Sequence, residues 1–576
     1  MFAASSRRAL APLPRRRRTL TARRSSRPSR AVASSDDARE CVLAVDVGTT
    51  ALKAIVLTPA GVAVAVAERA YRVGTVLGGG ANLSGAVEQD PDDWLEAFGL
   101  ALRDLGYAAD ADPADALPPP AAIALSGQMQ DVCLVRDGRS VRASLLYSDV
   151  RAAAEAARVV AACDPDDVDA KLANFKGPAA CLAKWLWLAT HEPDALKAAD
   201  RVLLGAHSFL AYALTDGDAA FCDPTTASTT GLLSPPALGA PPRWAEDVLR
   251  LFPEIDLTQL PNLLTGESPD PVGTVSARAT KALGVASAFA GAPVYHGVGD
   301  LASATTGAMG THRADRDGSA TRAYVYLGTS GWIATCAPWE TTLANAARDG
   351  TFRLSHPNPD SAIVAASMVT AGGNAEWARR ALLPEGRNSL RDLDAAAANA
   401  PAGCDGTLFL PHLNGERSPF VDASARGAFL NVSARTDADA MCRAVLEGVA
   451  YNYRALAESL DVTLGPDADP IPFVGGGARS ALWTQTLADA LRTPVAPVAD
   501  AATVAARGCA AGAFANLGAW GDGGAPAGYF PGGAGDEGEP TVQPDPITGE
   551  THERNYAVFA RVHAALADAG VGTLVA

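Results

Sequence analysis

The chain contains no run of 18 or more apolar residues, which excludes an ordinary membrane-spanning helix. Its nine cysteines form no CxxC pair and no Cys/His group with zinc spacing, so they read as reduced, mostly buried thiols. No GxxxxGK[ST] loop is present, the run from Gly297 fails GxGxxG at Ala302, and His312-Arg313-Ala314 lacks the aspartate of a protein-kinase catalytic loop. Any phosphate site must therefore be of another kind. Basic charge is also scarce: the net charge of −16 argues against a general nucleic-acid binder.

Acid is missing from one place only. Residues 1–35 hold ten Arg and no Asp or Glu, and removing them leaves −26 on residues 36–576. An Arg- and Ser-rich, acid-poor leader reads as a transit peptide over 1–36, with import into a chloroplast expected and a mitochondrion as the alternative.

With 576 residues the chain is too long for one core, and two large domains are expected. Residues 41–48 form an apolar run stopping at glycine, and 51–57 and 61–67 follow as further β-rich runs, so a three-strand meander is predicted. Helices are expected at 94–105, 152–162 and 179–189, with a buried strand at 121–125. Residues 311–321 are polar and breaker-rich, and mark a junction between a first domain at 40–310 and a second at 322–576. Beyond it a strand again stops at Gly328 and a return strand starts at Gly331. The hairpin is thus repeated: Gly48 aligns with Gly328, Thr49 with Thr329, Thr50 with Ser330, and Asp46 with Tyr326. A helix at 438–459, a strand at 471–474, a helix from Ser480 to 491 and a last helix at 555–569 are expected. Residues 517–550, rich in Gly, Pro and acid, read as a flexible excursion.

Four constellations carry chemistry. In Asp46-Val47-Gly48-Thr49-Thr50, glycine admits close approach, hydroxyls and N–H groups contact phosphate, and the carboxylate two residues earlier can hold Mg²⁺ or its waters. Gly328-Thr329-Ser330 is the matching half, and two such hairpins can grip a polyphosphate between domains. In Gly297-Val298-Gly299-Asp300, the aspartate is placed to take the proton of an attacking hydroxyl, or to cap the helix that follows. Gly475-Gly476-Gly477-Ala478, between a strand and a helix, leaves room for adenosine. A fifth stretch, Gln128-Met129-Gln130, offers amides to a neutral polyol.

In this order the motifs resemble the FGGY carbohydrate kinases of the sugar kinase/actin/Hsp70 superfamily, and among them the xylulokinases. Residues 223–232, 410–432 and 475–491 are similar to further family blocks, and the resemblance spans about 41–517 with a looser match at 556–566. It implies two RNase-H-like α/β domains around a central cleft, with sugar and phosphate held by the first and ATP by the second. It implies Asp46 as organiser of Mg²⁺, Thr49, Thr50, Gly328, Thr329 and Ser330 at the phosphates, Gly476 and Gly477 at adenosine, and Asp300 as general base. The departures fall at the sugar site. Gln130 stands where xylulokinases have His, Leu301 where they have Asn, and Tyr147 leads the block whose Asp149 and Arg151 are kept. The substrate residues expected are Gln128, Met129, Gln130, Asp149 and Asp300. D-xylulose is the first expected substrate, with D-ribulose, L-ribulose or glycerol as alternatives, and a non-catalytic nucleotide-binding regulator as a third reading. No nucleic acid or membrane partner is expected, and a homodimer stays open. His207 and His412 read as structural, and Glu416 and Arg417 as an ion pair.

Overall fold

The computed structural model describes residues 40–569 apart from 73, 76–84, 112–116, 164–167, 176, 236–239, 266–269, 311–322, 339–349, 357–360, 423–424, 499–502, 522–523, 527–528 and 531–540. The expected leader, 1–36, and the expected junction, 311–321, lie outside the described residues.

Among the described residues, apolar alternation builds two matching six-stranded sheets, one from each half of the chain, beside a third six-stranded sheet in the first half and two two-stranded ones. The first takes β1 (Val42–Val47), β2 (Ala51–Leu57), β3 (Ala63–Ala70), β4 (Ala122–Gly127), β5 (Gly273–Thr274) and β6 (Pro293–Tyr295), in the order β5-β6-β4-β1-β2-β3. The second takes β7 (Ala323–Leu327), β8 (Gly331–Pro338), β9 (Thr351–Ser355), β10 (Ser361–Met368), β11 (Ile471–Val474) and β12 (Val495–Pro497), in the order β9-β10-β8-β7-β11-β12. In both, a leading strand pairs antiparallel with its hairpin partner and parallel with a strand far along the chain. The repeat expected from the two glycine hairpins is therefore a repeat of whole sheets, and this is the mixed α/β, RNase-H-like architecture.

The hairpins are not identical. Val47 pairs with Leu52 in the first, but Leu327 pairs with Gly331 in the second, so the second tip is one residue shorter. Asp46 lies opposite Lys53 and beside Ser126, whereas Tyr326 lies opposite Trp332 and beside Val474.

Helix α1 (Pro91–Asp104) covers the first sheet, and α2 (Asp300–Met309), α3 (Ala438–Ser459), α4 (Ala481–Leu491), α5 (Val504–Asn516) and α6 (Pro546–Ala569) follow. Two of them exchange sheets. The chain enters α2 from β6, yet Ala304 and Ala308 pack with Tyr324 and Val474 of the second sheet. It enters α5 from the second sheet, yet Cys509, Ala510 and Phe514 pack with Val42, Ala44 and Ile55 of the first. Where α2 and α5 cross, a side chain at Gly307 would run into the Val504 carbonyl, and one at Gly508 into the Ser303 carbonyl. Only glycine lets two helix backbones approach so closely.

Two expectations at the C-terminal end need correction. Part of 517–550 is anchored: Tyr529 is fully buried against Gly61, and Trp520 Nε1 donates to Pro59 O at 2.8 Å. The last helix begins at Pro546, nine residues before the predicted start. Asp545 caps it by accepting from Ile547 N at 2.7 Å and Thr548 N at 3.1 Å. The Asp-Pro pair is an N-cap followed by a proline tolerated in the first turn, a signal the acidic, glycine-rich surroundings obscured. No helix among the described residues is long and apolar enough to cross a membrane.

Candidate active site

Both hairpins, the head of α2 and the turn after β11 open on one cleft of about 840 Å³ between the two sheets. Asp46, Gly48, Thr49, Thr50, Gln128, Met129, Gln130 and Asp300 line it from the first half, and Gly328, Thr329, Ser330, Gly476 and Gly477 from the second.

Hydrogen bonds from behind turn the hairpin tips toward phosphate. The carbonyl of Gly48 accepts from the Tyr71 hydroxyl, that of Thr49 from Gln89 Nε2 at 3.2 Å, and that of Thr50 from Tyr71 N at 3.0 Å. In the second hairpin the Gly328 carbonyl accepts from Gly372 N and the Thr329 carbonyl from Ala371 N, both at 2.9 Å. With the carbonyls held back, the tips offer hydroxyls and N–H groups to the cleft, which suits an anion.

The turn after β11 is a short 3₁₀ segment, Gly476–Arg479, before Ser480 caps α4 by accepting from Trp483 N at 3.1 Å. Gly475 has φ +103° and lies against the Leu327 backbone, and Gly477 lies on the Leu327 side chain. Side chains at either would push the turn away from the phosphate hairpin. Gly476 faces open space in the cleft. Ala478, between these glycines and Arg479, is partly buried at the edge of the second core, while Gly476, Gly477, Arg479 and Ser480 line the cleft.

Asp300 is the first residue of α2 rather than its cap, which is Gly299. Its Oδ1 accepts from Leu301 N at 2.8 Å, leaving Oδ2 for a substrate proton. Burial, and behind it the Asp46 carboxylate, raise its pKa to about 7, a value suited to a general base near neutral pH. Asp46 is also pushed upward by burial, against the pull of Lys53 and His207. Its Oδ1 is buried with no hydrogen-bond partner among the described residues. An unsatisfied buried carboxylate oxygen beside a phosphate hairpin fits a divalent cation or its bound water.

The polyol stretch does not act as one unit. Gln128 is held through Nε2 on Gln89 Oε1 at 3.3 Å, while its own Oε1 has no partner among the described residues. Met129 Sδ fills the space a side chain at Gly299 would need. Gln130 adopts a left-handed φ of 64°, its carbonyl accepts from Lys184 Nζ at 2.6 Å, and its Nε2 donates to Thr229 O at 2.7 Å. Its remaining amide capacity toward a sugar is the carbonyl oxygen and the second N–H of Nε2.

Asp149 belongs elsewhere. It is fully buried and outside the cleft, it grips the Arg151 guanidinium at 2.6 and 3.0 Å, and it accepts from Val87 N at 2.8 Å. The expected substrate role is corrected to a structural ion pair. The expected pairing of Glu416 with Arg417 is also replaced. Glu416 binds His412 Nδ1 at 2.8 Å and Asn452 Nδ2 at 3.2 Å. Arg417 instead enters the cleft near Tyr147, where burial holds its pKa below the usual arginine range. His207 is buried and bonded to Asp223 at 3.1 Å, as its structural reading requires.

Sequence reasoning gave no role in the cleft to Lys53, Tyr326, Trp332 or Arg417, all of which line it. Lys53 was within reach, since pairing across the first hairpin sets it opposite Asp46. It also passed over Asp131 and Lys184, buried behind Gln130. Burial, and Asp300 to a smaller extent, push Asp131 upward, while burial pushes Lys184 downward.

Models of the FGGY family of carbohydrate kinases match on both sides of the cleft, its N-terminal domain at residues 41–307 and its C-terminal domain at 323–517. The chain belongs to this family. It is accordingly an ATP-dependent sugar kinase. The kinase is 30% identical to xylulose kinase of Escherichia coli (strain K12) over 451 residues, which is 78% of this chain and 84% of that protein. The crystal structure of xylulose kinase from Rhodospirillum rubrum has a TM-score of 0.71 and 26% identity, covering 92% of this chain and 100% of the other. Plasmodium falciparum glycerol kinase with ADP shares the fold alone, with a TM-score of 0.69 at 15% identity over 91% of this chain and 98% of the other.

Proposed function

We propose that this kinase transfers the γ-phosphoryl group of ATP to a terminal hydroxyl of a ketopentose, with D-xylulose giving D-xylulose 5-phosphate. The observation that carries the reading is convergence: Asp46, both hairpins and Asp300 line the same cleft as Gln128 and Gln130. Oδ2 of Asp300 takes the hydroxyl proton as the sugar oxygen bonds to phosphorus and the bond to ADP breaks. Thr49, Thr50, Thr329 and Ser330 bind and orient the phosphates, and Gly476 and Gly477 admit adenosine. Asp46 would hold Mg²⁺, which when bound offsets charge on the phosphate oxygens. The named relative in Escherichia coli supports D-xylulose.

A second reading, another polyol such as D-ribulose, L-ribulose or glycerol, is favoured by Gln130. One N–H of its amide is committed to Thr229 O, and Leu301 adds no polar side-chain atom beside Asp300. A site built for particular hydroxyls discriminates steeply between sugars. ADP release across a panel of these substrates decides. High kcat/KM on D-xylulose alone supports the first reading, a different preferred sugar replaces it, and no stimulation by any sugar removes both.

A further inference from the structure

The two hairpins share their strand pairing and differ in tip length and in side chain. Where the first carries Asp46, the second carries Tyr326. Side chains two apart on a strand share a face, so Tyr324 and Tyr326 both look toward α2. Tyr324 is fully engaged. Its hydroxyl accepts from Trp332 Nε1 at 2.8 Å, lies 3.0 Å from Thr305 Oγ1 and reaches Leu301 O at 3.3 Å. Tyr326 sits one pleat nearer the hairpin tip, about 7 Å further along, and so comes level with the head of α2 and Asp300.

There its ring is locked. It stacks on Trp332 with centroids 3.9 Å apart and planes 9° from parallel, and its backbone carbonyl accepts from Tyr453 OH at 2.6 Å. Both stacked rings line the cleft. The hydroxyl is 3.2 Å from the position a Cβ at Gly328 would take, so it borders the second phosphate hairpin. It makes no hydrogen bond to any described residue. Burial, then Asp46, Asp300 and Tyr147, push its pKa upward, so it keeps its proton at any working pH. Those three groups all belong to the first half of the chain, on the other side of the cleft that Tyr326 lines.

We propose that the Tyr326 hydroxyl is a further catalytic group, donating a hydrogen bond to a non-bridging oxygen of the phosphoryl group in transit. The inference rests on the kinase reading above. Charge on those oxygens is shared out in the transition state, and donors fixed in advance stabilise it without reorganising. The residue type follows from the neighbours. A lysine or arginine at 326 would pair with Asp46 or Asp300 and would hold the base as an ion pair. A phenol donates without competing for either carboxylate.

Tyr326→Phe tests this, because it keeps the ring and its stack on Trp332. The wild type is first shown to turn over a sugar from the panel. The variant is then compared in kcat, in KM for ATP, and in calorimetric affinity for ADP alone and for ADP with aluminium fluoride and that sugar. The expected result is a kcat lower by about 10- to 100-fold, a matching loss of affinity for the fluoride complex, and ADP affinity and KM within about twofold. An unchanged kcat and fluoride affinity would overturn the inference and leave the kinase reading standing. So would a rise in KM and a loss of ADP affinity of the same size as the kcat change, which would make Tyr326 a structural residue of the nucleotide site. A wild type inactive on every sugar would overturn both.

Discussion

Asp300 keeps its proton up to about pH 7, first because it is buried and next because the carboxylate of Asp46 acts on it. One residue opens α2 and the other is the last but one of β1, and the sheet register that sets Gly127 beside Gly299 brings them together. This pairing of a base with a cation-seeking carboxylate has consequences that can be measured.

As a general base Asp300 works only when deprotonated, so activity is lost as pH falls. The kcat/KM for the sugar should drop about tenfold per pH unit below an inflection at or somewhat under about 7, since a cation at Asp46 relieves part of the repulsion. A pH–rate profile checks this, and equal activity at about pH 5 and pH 8 would remove Asp300 from the role.

Asp300→Asn should lower turnover by about 10²–10⁴-fold while ADP still binds. It should also stabilise the metal-free protein. Because the folded pKa of about 7 lies above the ordinary value of 3.8, the native state binds the extra proton between the two. Stability conferred by the native side chain therefore falls as pH rises through that window and stays low above it. The gain in melting temperature from Asn should be larger at about pH 8 than at about pH 5, and a gain independent of pH would count against the buried-carboxylate account.

Asp46→Asn should raise the Mg²⁺ concentration needed for half-maximal rate by roughly 10- to 100-fold. Binding of ADP measured without divalent cation should stay within about twofold. An unaltered Mg²⁺ requirement would move the metal away from Asp46.

Asp149→Ala removes the bidentate partner of the Arg151 guanidinium and leaves it only the ion pair with Glu88 at 2.8 Å. Breaking a buried pair outright costs about 3–5 kcal/mol; with Glu88 still compensating part of the charge, a destabilisation at or below the lower end is expected in denaturant unfolding. The KM for the sugar should be unchanged in protein that folds. A raised KM with normal stability would restore the substrate role this residue lost.

Gly508→Ala probes the crossing of α2 and α5. Alanine's better helix propensity is worth about 1 kcal/mol. The added methyl would meet the backbone of Ser303 rather than a side chain able to turn aside, so the helices must part. A net destabilisation of at least about 1 kcal/mol is expected, with a fall in kcat as the two sheets shift. A variant more stable than wild type would show that the crossing has slack.

Local pattern carried much of the fold. Residues 438–459 and 471–474 were bounded correctly because the helix has few breakers and a polar start at Asp437, and the strand runs straight into glycines. The helix start at Ser480 was legible because serine is a capping residue, and its hydroxyl serves an amide three residues away. Tyr529 was misread because its neighbours are Gly, Pro and acid, while the surface that buries it comes from the first sheet. Arg417 was misassigned for a similar reason. Its sequence neighbour Glu416 is claimed by His412 and Asn452, and only the folded chain shows that competition.

By itself the sequence determined the duplicated hairpin, the strands on either side of it and the two aspartates, because each depends on residues within a few positions of one another. Only the tertiary structure decided which side chains meet across the cleft. Asp149 was taken into an interior ion pair, Arg417 was released into the cleft, and the place opposite Asp46 in the repeat went to a phenol on a tryptophan. Those outcomes depend on which of several distant partners wins a buried charge or a donor. That contest is settled by packing between the two sheets, where separation along the chain carries no information.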